Sequence, residues 1–233
     1  MMVLEVMIGL CAVGIVFYGV LPTVYYRYIS LSAVSKLEGT SKKKEIALTF
    51  DDGPDSEYTM QLLDLLKKNK VKATFFFVAK EADKHPDIIE KIIEDGHTLG
   101  LHSYEHKHAW LKGRKYTKQD FEKSVAIVKK YNWTVAFYRP PWGNCNIFTI
   151  NEAKKYGLQP IFWNVMAQDW RKNISPEQIE QRLLQRVRNK AIICLHDGRG
   201  AKGAPGRTIE ALKKVIPELI KNGYHFNSLY DKR

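Results

Sequence analysis

The sequence predicts an α/β domain carried behind one membrane-spanning helix. Three observations lead there. Short apolar runs alternate with amphipathic stretches across most of the 233 residues, the pattern of a strand and helix core. Polar clusters recur just past the C-terminal ends of the predicted strands, and in a parallel barrel those ends form one rim. Ahead of them, no charged side chain occurs from Val6 to Tyr26.

The uncharged run comes first in the chain. From Val6 to Leu21 it is long enough to cross a hydrocarbon core of about 30 Å. Tyr18, Tyr25, Tyr26 and Tyr28 gather toward its end, where amphipathic rings prefer the membrane interface, and Pro22 is expected to end or bend the span. No Ala-x-Ala cleavage site follows, so an uncleaved anchor over residues 1–29 is predicted in preference to a removed signal peptide. Arg27, Lys36, Lys42, Lys43 and Lys44 follow the span and no basic residue precedes it. By that charge rule alone the rest of the chain would stay in the cytoplasm.

A linker is predicted over residues 30–44 and a single catalytic-type domain over 45–233, with no repeat or low-complexity segment inside it. Strands are predicted at residues 45–49, 72–78, 97–101, 135–138, 159–165, 191–195 and 224–229. The helices between them have legible ends. Pro86 opens one whose Ile88, Ile89, Ile92 and Ile93 share a face, and Gly96 stops it. Ser175-Pro176-Glu177-Gln178 is a capping-box start, followed by Ile179, Leu183, Leu184 and Val187 at helical spacing. Pro217 falls inside the last helical pattern, where a kink or restart is expected.

Lysine and arginine number 37 against 25 acidic residues, a formal charge of +12. That balance suits anionic membranes or polymers, and equally a solubilising surface. No base-reading motif accompanies it, so nucleic acid is not predicted as a partner, and nothing predicts an oligomer. Three cysteines, Cys11, Cys145 and Cys194, do not make a disulfide framework. No pattern pairs Cys145 with a base, so it is read as an ordinary loop residue.

The chemistry lies in the rim clusters. Asp51-Asp52 follows the first strand, His102 the third, Arg139-Pro140-Pro141-Trp142-Gly143 the fourth, Gln168-Asp169-Trp170 the fifth and His196-Asp197-Gly198 the sixth. Singly, each is an ordinary turn, cap or surface residue. Together they supply what a metal-assisted hydrolase needs: a carboxylate and two histidines as ligands, a further carboxylate as base, and an open coordination position.

These residues resemble the five motifs, in order, of the polysaccharide deacetylase family with a NodB-homology domain, carbohydrate esterase family 4. The carriers are Thr49-Phe50-Asp51-Asp52-Gly53-Pro54, His102-Ser103-x-x-His106, Arg139-x-Pro141-Trp142-Gly143, Asp169-Trp170 and Leu195-His196-Asp197. The resemblance covers residues 46–229 and implies a distorted (β/α)7 TIM-like barrel. It implies that Asp52, His102 and His106 hold a divalent metal, zinc before cobalt or another ion, with the two histidines on one side of a helical turn. Asp51 would be the base, His196 the acid for the departing amine, Arg139 the group that orients Asp51, and Asp169 the partner that favours protonated His196. Trp142 would offer a backbone N–H to the oxyanion, while Trp170, Leu195 and Pro141 would line the substrate site. The implied reaction removes N-acetyl groups from a glycan containing N-acetylglucosamine, peptidoglycan or a chitin-like oligomer, with the domain outside the membrane.

Three departures from the family pattern stand out. Met166 replaces an aspartate often found three positions before Asp169, Trp142 replaces a tyrosine or phenylalanine, and Leu101 replaces a polar residue. Of the remaining histidines, His97 is assigned to support of the strand or site, and His85, His108 and His225 to the surface. Basic sets at Lys112, Arg114, Lys115, Lys118 and at Arg182, Arg186, Arg188, Lys190 are read as solvated faces. The glycine-rich loop at residues 199–207 is expected to close over substrate or to contact an anionic chain. Two other functions stay open: deacetylation of a lipid-linked or small amidated substrate on the cytoplasmic side, and metal-containing glycan binding without catalysis.

Overall fold

The structure, a computed structural model, describes residues 2–30, 37 and 43–229. Most of the expected linker, including Lys36 and Lys42, lies outside the described residues, as do residues 230–233. Within them the chain forms strands β1 (Lys44–Asp51), β2 (Thr74–Phe77), β3 (Thr98–Leu101), β4 (Phe137–Tyr138), β5 (Gln159–Pro160), β6 (Val165–Met166), β7 (Ile192–His196) and β8 (Tyr224–Phe226). Their order is β5-β4-β3-β2-β1-β7-β6, with β8 beside the start of β1, and every pairing is parallel.

The strand predicted at 159–165 is two strands. Its first half pairs with β4, and Ile161 N–H continues that ladder to Tyr138 O at 2.8 Å. Its second half pairs with β7, where the Asn164 side chain accepts from Ile192 N–H at 3.0 Å. One stretch of chain thus supplies both edges of the sheet, which is a parallel half-barrel.

Alternation along the strands sorts side chains into two layers. Leu48, Phe50, Phe75, Phe77, Ile193 and Leu195 face the helices, while Ala47, Phe76, Phe137, Ile161, Trp163, Ile192 and Cys194 form a second core on the inner face. The helix Pro86–Glu94 buries Ile88, Ile89 and Ile92, each contributing about 1.5–3 kcal/mol. Ser175 caps Pro176–Arg186 with both capping-box hydrogen bonds, at 3.2 and 3.0 Å. The last helix, Ala204–Lys221, runs unbroken through Pro217, so the expected restart does not occur.

The N-terminal helix occupies residues 2–29, with π-helical turns at Val16–Val20 and Tyr25–Ile29. Pro22 does not end it; it sits in the first turn after one of those π turns. The segment Leu4–Ile29 is long and apolar enough to cross a membrane, a test that signal sequences and buried core helices also pass. Residues 4–17 are exposed. Beyond them the helix is bound to the domain: Tyr18 Oη donates to Lys112 O at 2.5 Å, and Ile147 N–H donates to Tyr18 O at 3.1 Å. Thr23 Oγ1 donates to Cys145 O and accepts from Cys145 N–H and Trp110 Nε1–H, all within 3.1 Å. Gly19 fits flat against Trp110, since a Cβ there would lie 2.5 Å from its ring.

Candidate active site

β1 delivers two adjacent carboxylates to the rim and the backbone then separates them. Asp52 takes φ 78°, which turns its side chain away from that of Asp51. Gly53 follows because a Cβ there would meet the Asp197 carboxylate at 2.2 Å. Asp197 is buried, accepts from Thr59 Oγ1 at 2.7 Å and donates its backbone N–H to Asp51 O at 3.2 Å. Burial pushes its carboxyl up to about 7. It braces the turn that carries both aspartates, a role the sequence reading did not assign although Asp197 stands next to His196.

Asp52 Oδ1 lies 3.0 Å from His106 Nε2 and 3.4 Å from His102 Nε2. It is buried and has no hydrogen-bond partner among the described residues. His102 Nδ1 lies 2.7 Å from Arg139 O, which can only accept, so the Nε2 lone pair is left free. Burial, partly offset by Asp51 and Asp52, lowers His102 to about 4 and keeps the imidazole neutral. An orphaned carboxylate oxygen between two imidazole nitrogens is a donor set that fits a divalent cation. The histidines are not on a helical turn as expected. They flank a loop after β3 in which Ser103 and His106 have φ 106° and 58°, held by His106 N–H donating to Ser103 Oγ at 2.8 Å.

Asp51 Oδ1 accepts from Arg139 Nη1 at 2.6 Å, and the same nitrogen donates to Thr49 Oγ1 at 2.7 Å. Arg139 is fully buried, with its guanidinium 4.1 Å from the Phe76 ring centre. Such a pair is costly to break, about 3–5 kcal/mol when one partner is removed. The other oxygen of Asp51 lies 3.9 Å from His102 Nε2 and accepts from Cys194 Sγ at 3.4 Å.

Across the cleft, Asp169 grips His196 twice, through Nδ1 at 3.0 Å and through the backbone N–H at 2.9 Å. Thr208 Oγ1 donates to the same carboxylate at 2.9 Å. Burial alone would lower His196, but Asp169, with Asp52 and Asp51 beyond it, raises it to about 9. Asp51, Cys194 and His196 also lie close enough to act as ligands. That set suits a cation less, because Asp51 is committed to Arg139 and burial raises the Cys194 thiol well above its ordinary value.

A sequence model of the polysaccharide deacetylase family matches residues 38–161. The chain belongs to the polysaccharide deacetylase family. It is 33% identical over 191 residues to a peptidoglycan-N-acetylglucosamine deacetylase of Bacillus cereus, spanning 81% of this chain and 88% of that protein. A solved peptidoglycan N-acetylglucosamine deacetylase superposes with TM-score 0.78 at 32% identity, over 85% of this chain and 91% of that one. A mutant of a carbohydrate esterase family 4 pseudoenzyme from Bacillus anthracis, with restored activity, gives TM-score 0.76 at 27% identity over 86% and 71%. The shared fold thus carries both active and inactive proteins, so the fold alone does not establish activity.

The cleft, about 490 Å³, is lined by Asp51, Asp52, His102, His106, His196, Trp142 and Trp170. Arg139 and Asp169 stand behind it, each fully buried. Two expected lining residues lie elsewhere. Leu195 faces the helix layer, and its neighbour Cys194 lines the cleft instead, as alternation on β7 requires. Pro141 borders a separate small pocket with Ser103 and Tyr116. Met166 and Arg199 line the cleft. His97 supports the β2 region, where its Nδ1 accepts from Ala73 N–H at 3.1 Å. His108 is not a free surface residue: it lies in an aromatic row from His106 through Trp142 to Trp110, at 4.2, 5.3 and 5.3 Å. The N-terminal helix also reaches the cleft, through Arg27, which no sequence motif had marked.

Proposed function

We propose that this protein is a metal-dependent N-deacetylase of a glycan containing N-acetylglucosamine, peptidoglycan or a chitin-like oligomer, built on the distorted (β/α)7 barrel of its family. The observation that carries the reading is the separation of Asp51 from Asp52. One carboxylate faces two histidines, while the other is held by Arg139 at the same cleft.

Asp52, His102 and His106 would hold the divalent ion, zinc before cobalt. Bound, it acts as a Lewis acid and makes water acidic enough to attack an amide at neutral pH. The remaining work falls to the chain. Asp51 accepts the proton of the attacking water at its cleft-facing oxygen, and Arg139 keeps that carboxylate oriented. His196, protonated through Asp169, gives its proton to the amine nitrogen, which departs poorly as an anion. Trp142 sits at φ 55° in a single turn, Pro141–Gly143, and its own backbone N–H would receive the oxyanion, since Pro141 has no N–H and Gly143 N–H donates to Pro140 O at 2.8 Å. Its ring, half exposed beside His106, and Trp170, edge-on to His196 at 5.1 Å, frame the acetyl group.

We also infer that the N-terminal helix is retained as a single-pass anchor, with the domain on the outer side where wall polymer lies. Support comes from the contacts of Tyr18, Gly19 and Thr23, since a removed signal peptide would leave Trp110 and Cys145 uncovered. The basic flank argues for the opposite side, and protease shaving of intact cells decides: digestion of the domain supports the outer location, and protection contradicts it.

The test of activity uses the full chain in detergent. Acetate should be released from peptidoglycan or chitin oligomers, lost with a chelator and restored by zinc or cobalt. No release from any N-acetylated glycan by metal-loaded protein would leave glycan binding as the surviving reading.

A further inference from the structure

We propose that Arg27, carried into the cleft by the N-terminal helix, is a specificity-determining residue that binds an anionic group, carboxylate or phosphate, on the glycan substrate. The proposal rests on the deacetylase reading above and adds to it a charged substrate class and a residue outside the family domain.

Arg27 lines the same cleft as Asp52, His106 and Trp142. Its position is built. Thr23, one turn earlier, is locked by three hydrogen bonds to Cys145 and Trp110. The guanidinium lies 4.4 Å from the centre of the Trp163 ring, a cleft residue. Gly143, at φ 68°, leaves room for it, since a Cβ there would come within 2.8 Å of Arg27 Nη1. Stacking on an aromatic face fixes the plane of a guanidinium while leaving its edge donors free.

Three arginines border or back this cleft, and their partners differ. Arg139 is committed to Asp51 and Thr49, and Arg199 has Glu81 at 3.8 Å. Arg27 makes no ion pair to a carboxylate among the described residues, and its Nε is buried without a hydrogen-bond partner. A buried donor left unpaired is destabilising, and a ligand oxygen would satisfy it. A neutral acetamido sugar gives no reason to hold a cation there, whereas a carboxylate or phosphate would meet it through two parallel hydrogen bonds. Arg27 also lies ten residues, about 15 Å along a helix, beyond Phe17, where the exposed apolar stretch ends.

The experiment compares the full chain in detergent with Arg27→Gln and Arg27→Lys. Three substrates are used at low salt: a neutral chitooligosaccharide, an oligomer containing N-acetylmuramic acid with its free carboxylate, and a phosphate-bearing N-acetylglucosamine glycan. The readout is kcat/KM for each anionic substrate divided by that for the neutral one. Wild type is expected to favour one anionic substrate, which identifies the source of the charge. In Arg27→Gln that ratio should fall on the order of tenfold, mostly through KM, and Arg27→Lys should retain part of it. A wild-type enzyme without anionic preference, or a ratio unchanged in Arg27→Gln, overturns the proposal while turnover of the neutral oligomer leaves the deacetylase reading intact. If wild type releases acetate from none of the three, both fall.

Discussion

Asp51 and Asp52 are consecutive, yet their carboxylates serve different partners: Asp51 Oδ1 is 2.6 Å from Arg139 Nη1, while Asp52 Oδ1 is 3.0 Å from His106 Nε2. A positive φ at Asp52 makes this possible without a strand's alternation sending one of them into the core. The arrangement is braced from below by Asp197 and from the side by β2, where Asp52 N–H donates to Phe76 O at 3.2 Å.

The turn itself is therefore sensitive to a single methyl group. Gly53→Ala places a Cβ 2.2 Å from the Asp197 carboxylate. Overpacking of this kind costs about 1–3 kcal/mol. Thermal unfolding should show a lower Tm and metal affinity should fall with it; a variant with unchanged Tm and metal binding would mean that the turn is not braced as described.

On the proposed mechanism, His196 sets the alkaline limb of activity. Its pKa is raised to about 9, so its interactions stabilise the fold fully below its ordinary 6.5, and that contribution is lost as pH rises through about 9. As the acid it must be protonated, and kcat/KM should fall with rising pH. A cation in the neighbouring site opposes protonation and moves the limb below about 9, so variants are compared at equal metal loading. Asp169→Asn removes the charge that raises His196 and leaves burial to lower it. The limb should then move to lower pH; a limb that stays in place excludes His196 as the acid controlled by Asp169.

The helix contact can be tested by exposing Cys145. Thr23→Val keeps the side-chain shape but leaves Cys145 N–H, Cys145 O and Trp110 Nε1 without their partner. The loss is about 1–3 kcal/mol for each buried group left unpaired. Thiol labelling of Cys145, buried in the intact protein, should accelerate, as mapped by peptide mass. Equal labelling rates in wild type and variant would show that residues 18–27 do not cover the domain.

Much of this architecture was legible from local rules. The Ser175 capping box and the Ile88, Ile89, Ile92 face follow from spacing that holds whatever the tertiary context. The rim clusters were legible because Asp51, His102, Arg139, Asp169 and His196 each stand just past an apolar run, where a parallel sheet gathers its loops. What was not legible depended on geometry between segments. Leu195 and Cys194 exchange places because only the observed sheet shows which face of β7 looks into the cleft. The His102 to His106 spacing suits a helix, but Ser103 and His106 adopt positive φ in a loop instead. Residues 159–166 split because each half finds a different neighbour. Arg27 sits in an apolar helix far ahead of every motif, and only docking through Gly19 and Thr23 brings it to the site.

The central claim is the division of labour between the two aspartates, and calorimetric zinc titration beside acetate release tests it most directly. Asp52→Asn should weaken zinc binding by at least about tenfold, in line with the loss of a charged ligand, and turnover should fall with it. Asp51→Asn should keep zinc affinity within a few-fold of wild type while turnover drops on the order of a hundredfold or more. If both variants lose zinc alike, or if Asp51→Asn binds zinc and turns over normally, the account of this site is wrong.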